Sequence, residues 1–319
     1  MKIILTGSVA FDYLMRFPGY FRDHILPDQL ATISLSFLVE SMVRLRGGIA
    51  PNIAYTLALL GEHPKVMATV GEDFEEYRTW LESKGIDTTL MKVIPNEFSA
   101  SFFANTDLSN SQISSFYPGA MAYASQLSFR DLSERPDLVV ISPNDPLAMD
   151  RYVIECHELE IPYLYDPSQQ IVRLSADELV RGIEGAQALF VNQYEFSLIG
   201  KITGKGEADI LKHVRFLVVT CGQDGAKVFV GDETYHAPIV PPVEIIDPTG
   251  VGDAFRGGFL TGFSNGMDWE VCGRMGSLAA TYCLEQRGPQ GHAFTRPEFV
   301  SRYRKHFDDR GQLDILIKT

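Results

Sequence analysis

Cysteine is scarce in this chain of 319 residues, with four copies at Cys156, Cys221, Cys272 and Cys283. They form no CxxC pair and no Cys/His ligand spacing, which argues against a zinc site. Scattered thiols in apolar company read as reduced core residues. Positive charge is also in short supply. Lys and Arg number 28 against 41 Asp and Glu, a net charge of −13. That surface repels a phosphate backbone over most approaches, so no nucleic-acid partner is expected. A small anion remains compatible, because it needs only a local positive site. Nothing approaches the roughly 20 apolar residues of a membrane helix. The opening Ile3-Ile4-Leu5 is too short for a signal peptide. These absences lead to the expectation of a cytoplasmic protein with no membrane partner.

The rest of the composition is ordinary for a globular protein, 45% hydrophobic and 22% charged. The length allows one large domain with an appendage. Short apolar runs at residues 3–5, 66–70, 138–141, 163–165, 188–191 and 216–219 suit strands buried on both faces of a parallel sheet. Helical patterns lie between them, at 53–60, 74–83, 148–159 and 254–263. The alternation predicts an α/β layered core. Residues 11–46 and 98–116 break it, and Ser99 to Ala104 reads as β. Both segments are expected to form a small β lid inserted into a core of residues 1–10, 47–97 and 117–319. The charged stretch Arg302 to Arg310 reads as a solvated helix face.

The most informative string is Asp247-Pro248-Thr249-Gly250-Val251-Gly252-Asp253-Ala254-Phe255. Glycines just before a helix leave unpaired backbone N–H groups at its positive end, which suits phosphate. An aspartate beside them can accept the proton of an attacking hydroxyl. The same residues could equally make a tight turn with a capping Asp.

The longer string resembles the second signature of the ribokinase, or PfkB, family, usually D-T-T-G-A-G-D. Pro248 and Val251 depart from the common residues. Arg46-Gly47-Gly48-Ile49-Ala50-Pro51-Asn52-Ile53-Ala54, followed by Leu60-Gly61, looks like the first signature. Asn192-Gln193-Tyr194-Glu195 looks like the N-x-x-E motif. Thr220-Cys221-Gly222-Gln223-Asp224-Gly225 looks like the T-x-G-x-x-G nucleotide turn. Within the family, Gly7 to Asp12, Leu14 to Gly19, Ser34 to Val39, Ser115 to Met121 and Asp166 to Gln170 resemble adenosine kinases of mycobacterial type. The resemblance implies a ribokinase-like α/β/α core with a β lid. It also implies ATP-dependent phosphorylation of adenosine at the ribose 5′-hydroxyl to give AMP, a purine-salvage reaction. A kinase for another nucleoside or for ribose, and a nucleotide-sensing relative without catalysis, are the alternatives.

By that resemblance, Asp253 is the catalytic base and the backbone of Gly250, Val251 and Gly252 holds the γ-phosphate. Ser8, Asp12, Gly48 and Asn52 fall at the ribose, although Asp12 could be a loop residue and Asn52 a helix cap. Phe102 and Phe116 are expected to sandwich the adenine, with Met121 lining the pocket and Gln169 and Gln170 near the base or ribose. The alternative for the phenylalanines is ordinary packing inside the lid. Asn192, Thr220, Gly222 and Gly225 are expected on ATP. Glu195 would hold Mg2+ through water, unless Asn192 and Glu195 simply start a helix. A monovalent cation such as K+ could sit beside Asp247 and the carbonyls near Arg287 and Gly288. Exposed lid edges predict a homodimer joined through the lid, with Leu35, Phe37, Phe98 and Phe103 as contact candidates.

Overall fold

Strand and helix alternate through most of the chain, whose computed structural model describes all residues except 27, 29–31, 33 and 319. The elements begin with β1 (Ile3–Thr6), β2 (Ala10–Arg16), β3 (Ser41–Gly47), α1 (Ile49–Leu59), β4 (Lys65–Val70), α2 (Glu75–Ser83) and β5 (Asp87–Val93). There follow β6 (Ala100–Thr106), β7 (Gln112–Tyr117), β8 (Leu138–Ile141), α3 (Pro146–Glu158), β9 (Tyr163–Tyr165), α4 (Ala176–Ile183), β10 (Ala188–Asn192) and α5 (Gln193–Thr203). The chain ends with α6 (Glu207–Ile210), β11 (Phe216–Thr220), β12 (Ala226–Val230), β13 (Glu233–Ala237), α7 (Val251–Ser264), α8 (Trp269–Leu284), α9 (Arg296–His306) and α10 (Asp314–Ile317).

Nine strands form the main sheet, in the order β13-β12-β11-β10-β9-β8-β1-β4-β5. From β11 to β5 all neighbours are parallel, and β12 and β13 extend the sheet antiparallel. Strand side chains alternate between two faces. Ile3, Leu5, Val66, Val140, Phe190 and Val218 pack with Ile53 and Leu57 of α1, Tyr77 of α2 and Phe255 and Phe259 of α7. Ile4, Met67, Val139, Leu189 and Val219 pack on the other side with Met149 and Tyr152 of α3, Leu179 of α4 and Ile199 of α5. Full burial of such a side chain is worth about 1.5–3 kcal/mol, so both helical layers are bonded to the sheet chiefly by apolar contact.

The strand order places the site. From β1 the chain moves one way, to β4 and β5. From β8 it moves the other way, through β9 and β10 to β11. The connections at the carboxyl ends of β1 and β8 therefore diverge and leave a crevice, where open α/β sheets bind ligands. Ser8 N donates to Pro143 O across it at 2.8 Å. A second sheet, in the order β3-β2-β6-β7, stands over the crevice. It is tied there because β2 follows β1 after three residues and β3 runs into α1 through Gly48. Gly48 has φ 97°, and a β-carbon there would lie 2.5 Å from Ser8 O, so this junction requires glycine.

Several expectations need correction. Helix α1 starts at Ile49 rather than residue 53, because Pro51 fits a first helical turn that has no N–H acceptor to lose. Strand β5 and the β12–β13 hairpin escaped the apolar-run criterion, since these strands at and beside the ends of the sheet are only partly buried and carry polar residues. Arg302 does not sit on a solvated face. It pairs with Glu285 at 2.6 Å, largely buried, while Arg304 pairs with Asp309 at 2.7 Å. No helix among the described residues is long and apolar enough to cross a membrane.

The loop after α8 clamps α1. Tyr55 donates to His292 O at 2.7 Å, and Thr56 Oγ1 lies 3.0 Å from His292 Nε2. The imidazole is fully buried and its Nδ1 has no partner among the described residues. Burial pulls its pKa down to about 4, because the charged ring would lose its water. Below about pH 6.5 the unfolded chain then binds a proton that the folded chain refuses, so this contribution to stability is lost as pH falls from about 6.5 to 4. We expect the stability difference between the wild type and His292→Gln to shrink by up to about 3 kcal/mol over that window. Denaturant melts of both proteins at pH 7 and pH 4.5 check it, and a pH-independent difference refutes it.

Candidate active site

Gly250 caps α7 in the left-handed region at φ 77°, and a β-carbon there would meet Pro289 at 2.3 Å. The first intrahelical bond runs from Ala254 N to Gly250 O at 2.9 Å. The N–H groups of Gly252 and Asp253 are left without an intrahelical acceptor at the positive end of the helix. The Asp253 carboxylate stands at the same place. Burial pushes its pKa up to about 7, opposed by Arg256 and by a hydrogen bond from Asn52, and assisted by the charges of Asp166 and Asp12. A carboxylate poised near neutrality suits proton abstraction.

Asn52 is held as part of a relay. Trp80 Nε1 donates to Gln290 Oε1 at 3.1 Å, Gln290 Nε2 donates to Asn52 Oδ1 at 3.0 Å, and Asn52 Nδ2 donates to Asp253 Oδ2 at 2.9 Å. Gln290 also bonds the hydroxyl of Tyr77, which in turn donates to Gly47 O at 2.9 Å. This network fixes the amide orientation of Asn52 so that its donor end faces the carboxylate.

The lid contributes a single row of side chains. Asp12 pairs with Phe102 across β2 and β6, and Phe102 pairs with Phe116 across β6 and β7. Directly paired residues point to the same face of a sheet, side by side. Phe102 and Phe116 therefore cannot sandwich a base between them, as the sequence had suggested. They form one platform that covers the crevice from one side. Asp12 sits next to them in the row, and its carboxylate accepts no hydrogen bond from the described residues. Burial, and then the charge of Asp247, raise its pKa to about 6.

A cavity of about 450 Å3 lies under this row. It brings together Ser8, Asp12, Gly48, Asn52, Phe102, Phe116, Met121, Gln169, Gln170, Gly250 and Asp253. Ser8 Oγ accepts from Ile49 N at 3.2 Å, which leaves its own O–H free to donate. Gln169 is exposed at the rim, whereas Gln170 Oε1 is buried with no donor among the described residues. Val251 and Gly252 belong to the adjoining turn rather than the lining.

The remaining expected residues sit further along the carboxyl edge of the sheet. Asn192 and Thr220 are paired neighbours at the ends of β10 and β11. Asn192 and Glu195 form a reciprocal capping box at the start of α5, with both bonds at 2.8 Å, and Ser168 donates to Glu195 Oε1 at 3.1 Å. Gly222 and Gly225 make the turn after β11, both at positive φ. Asp247 takes Thr249 N and Gly288 N, each at 2.9 Å, and so ties the turn before α7 to the loop after α8.

Residue patterns alone missed Gln290, Asp166 and Arg256. Asp166 directly follows β9 at the carboxyl edge, and Arg256 lies one helical turn past Asp253. Those positions were the available signal. Gln290 had none, since its partners are distant in sequence.

A turn that can hold phosphate, a poised carboxylate and a lid-covered cavity at the switch point define a phosphotransferase architecture. A sequence profile described as "pfkB family carbohydrate kinase" matches residues 9–295. A nucleoside kinase of Methanothermobacter thermautotrophicus is 31% identical over 313 residues, covering 94% of this chain and 95% of that one. The structure of Burkholderia thailandensis nucleoside kinase in complex with inosine matches with a TM-score of 0.86 at 37% identity, covering 96% and 98% of the two chains. A further structure of that kinase is a complex with ADP-inosine. The Methanocaldococcus jannaschii nucleoside kinase structure matches with a TM-score of 0.87 at 28% identity, covering 96% and 99%. The chain belongs to the pfkB family of carbohydrate kinases.

The Asn52 bond stabilises the ionised form of Asp253, so its removal should raise the Asp253 pKa further. In 13C titrations of the side-chain carboxyls we expect a midpoint near pH 7 for Asp253 in the wild type and a higher one in Asn52→Ala. A wild-type midpoint near 4 would refute the assignment of a buried, poised carboxylate.

Proposed function

We propose that this protein is a cytoplasmic, ATP-dependent nucleoside kinase that phosphorylates adenosine at the ribose 5′-hydroxyl to give AMP, a step of purine salvage. The observation that carries this reading is one cavity lined by Asp253, the Gly250 turn, Asp12 and the Phe102–Phe116 platform. Asp12 faces the ribose hydroxyls, and Ser8 and Gly48 flank them. The platform covers the base, a contact worth about 1–3 kcal/mol in nucleic-acid systems. Met121 lines the pocket, and Gln169 reaches the rim. Gln170 Oε1, without a donor among the described residues, favours a base with an exocyclic amino group, which adenine has and hypoxanthine lacks.

The chemistry follows from these positions. Asp253 takes the 5′-hydroxyl proton as the oxygen forms a bond to the γ-phosphorus. The bond to the β–γ bridging oxygen breaks, and its electron pair leaves with ADP. The N–H groups at the Gly250–Val251–Gly252 turn hold the phosphoryl oxygens. Thr220, Gly222, Gly225 and Asn192 line the approach on the ATP side. Among the described residues no three His, Cys, Asp or Glu stand together as a metal cage. The donor set suits Mg2+, which keeps its waters and phosphates. Asn192 and Glu195 would hold its waters, and the ion would supply neutralisation of the phosphate charge. A K+ ion beside Asp247 would relieve the repulsion between that residue and Asp12.

The second reading is a kinase for another nucleoside. Similar proteins bear the names nucleoside kinase, cytidine kinase and ribokinase. A free sugar would leave the aromatic platform without a partner. In a coupled assay with ATP we expect adenosine to exceed inosine, guanosine, cytidine and ribose by at least about tenfold in kcat/KM. Asp253→Asn should keep nucleoside binding and lose at least about 10²-fold in kcat. A preference for ribose, or unchanged turnover in the variant, would refute the reading.

The lid also supports assembly. Strand β7 is an edge with all six residues exposed, and Leu35, Phe98 and Phe103 of the lid segments are exposed as well. Phe37 is half-buried, packed against Phe17 and Phe21 with ring centroids 5.0 Å away, and offers only part of its ring. We expect a homodimer joined at β7 and these apolar residues. Light scattering over a dilution series checks it, and a single monomer mass at micromolar protein refutes it.

A further inference from the structure

We infer that Arg256 is a second catalytic group, a guanidinium that donates Nη1–H to the phosphoryl group in transfer while Asp166 holds it in place. Side chains on a helix lean toward its N-terminus and over the preceding turn. Arg256 lies four residues after Gly252 on α7, so its guanidinium comes back over the glycine turn. An atom at the β-carbon position of Gly252 would stand 2.9 Å from Nη1. The other edge of the fork is occupied. Nε lies 2.5 Å from Asp166 Oδ2, and Nη2 donates to Asp166 Oδ1 at 2.6 Å. Asp166 is 1% exposed and Arg256 11%. Among the described residues no acceptor takes Nη1.

Stability does not account for this arrangement. A buried ion pair can often be replaced by apolar residues at no loss. The guanidinium lies within electrostatic reach of Asp253 on the acceptor side and Glu195 on the nucleotide side. A phosphoryl group passing between those two sides spreads negative charge over its equatorial oxygens. Nη1 is a donor beside the glycine turn, and the ion pair of the guanidinium with Asp166 spares reorganisation during the step. The bond changes are those of the phosphoryl transfer described above, and Arg256 neither gains nor loses a proton.

The inference rests on the kinase reading, which wild-type turnover in the same assay tests by itself. It must also be separated from a simpler role, in which Arg256 only lowers the pKa of Asp253. Arg256→Met is compared with the wild type in kcat from pH 6 to 9, with adenosine affinity measured by calorimetry. If Arg256 contacts the phosphoryl group, the high-pH plateau of kcat falls by at least about 10²-fold, the loss typical of one missing anion-hole donor. Adenosine affinity should stay within about threefold, which also reports folding. If Arg256 acts only through Asp253, the acid limb moves up and the plateau recovers at pH 9, which overturns the inference. The double variant Asp166→Leu/Arg256→Met removes both charges and avoids stranding a buried carboxylate. It should show the same loss of plateau. A plateau within about threefold of wild type in either folded variant overturns the proposal.

Discussion

One carboxylate, Asp253, is buried at the amino end of α7, and the surrounding structure is organised to hold it there. An isolated charge in such a place would be neutralised by protonation. Three features offset that penalty: the helix start, the Asn52 amide and the neighbouring Arg256. The offset is incomplete, and the carboxylate remains near neutrality rather than at the acid value of a free aspartate. Because its folded pKa lies above the unfolded one, Asp253 destabilises the fold at pH above about 7, and that cost fades as pH falls toward 4. The site thus stores a strain that apolar burial elsewhere must exceed.

The second constraint is register. Asp12, Phe102 and Phe116 share one row because β2, β6 and β7 pair as they do. A slip of one residue would turn every one of these side chains to the opposite face. The alternate row offers Tyr13 and Phe103, which are stacked on each other with centroids 4.8 Å apart. That stack occupies the outer face and disfavours the slipped pairing. The same sheet therefore fixes both where a carboxylate meets the cavity and which aromatics cover it.

Much of this was legible in the residues. The six apolar runs named the central strands because strands buried on both faces have no polar alternation to confuse the reading. The glycine turn before α7 was legible because its conformational need restricts the residue types that can stand there. The edge strands were not, since half-buried segments mix polar and apolar residues without a clear period. Nor was the geometry of Phe102 and Phe116. Their identity is local, but whether they face each other or stand side by side depends on strand pairing between segments joined through a turn. Gln290 lay beyond reach for a related reason. It acts on Asn52 from 238 positions away, and a lone glutamine carries no spacing signal.

The two halves of the site depend on different parts of the fold. The cavity is closed by the small sheet, which is bound to the core through short connections at Gly48 and after β1. The turn before α7 and the ends of β9, β10 and β11 belong to the rigid layers. A hinge between these parts would move Asp12 and the aromatic platform while leaving Asp253, Asn52 and Gln290 in place, because the chain from Trp80 to Asp253 runs through core elements and only the Tyr77 branch reaches the small sheet, at Gly47 O. Trp80, Gln290, Asn52 and Asp253 come from α2, the loop after α8, α1 and α7. Positioning of the reacting carboxylate is therefore separated from covering of the cavity. A chain that must admit one ligand and then exclude water gains from that separation, since the groups that need the most exact geometry are those that need not move.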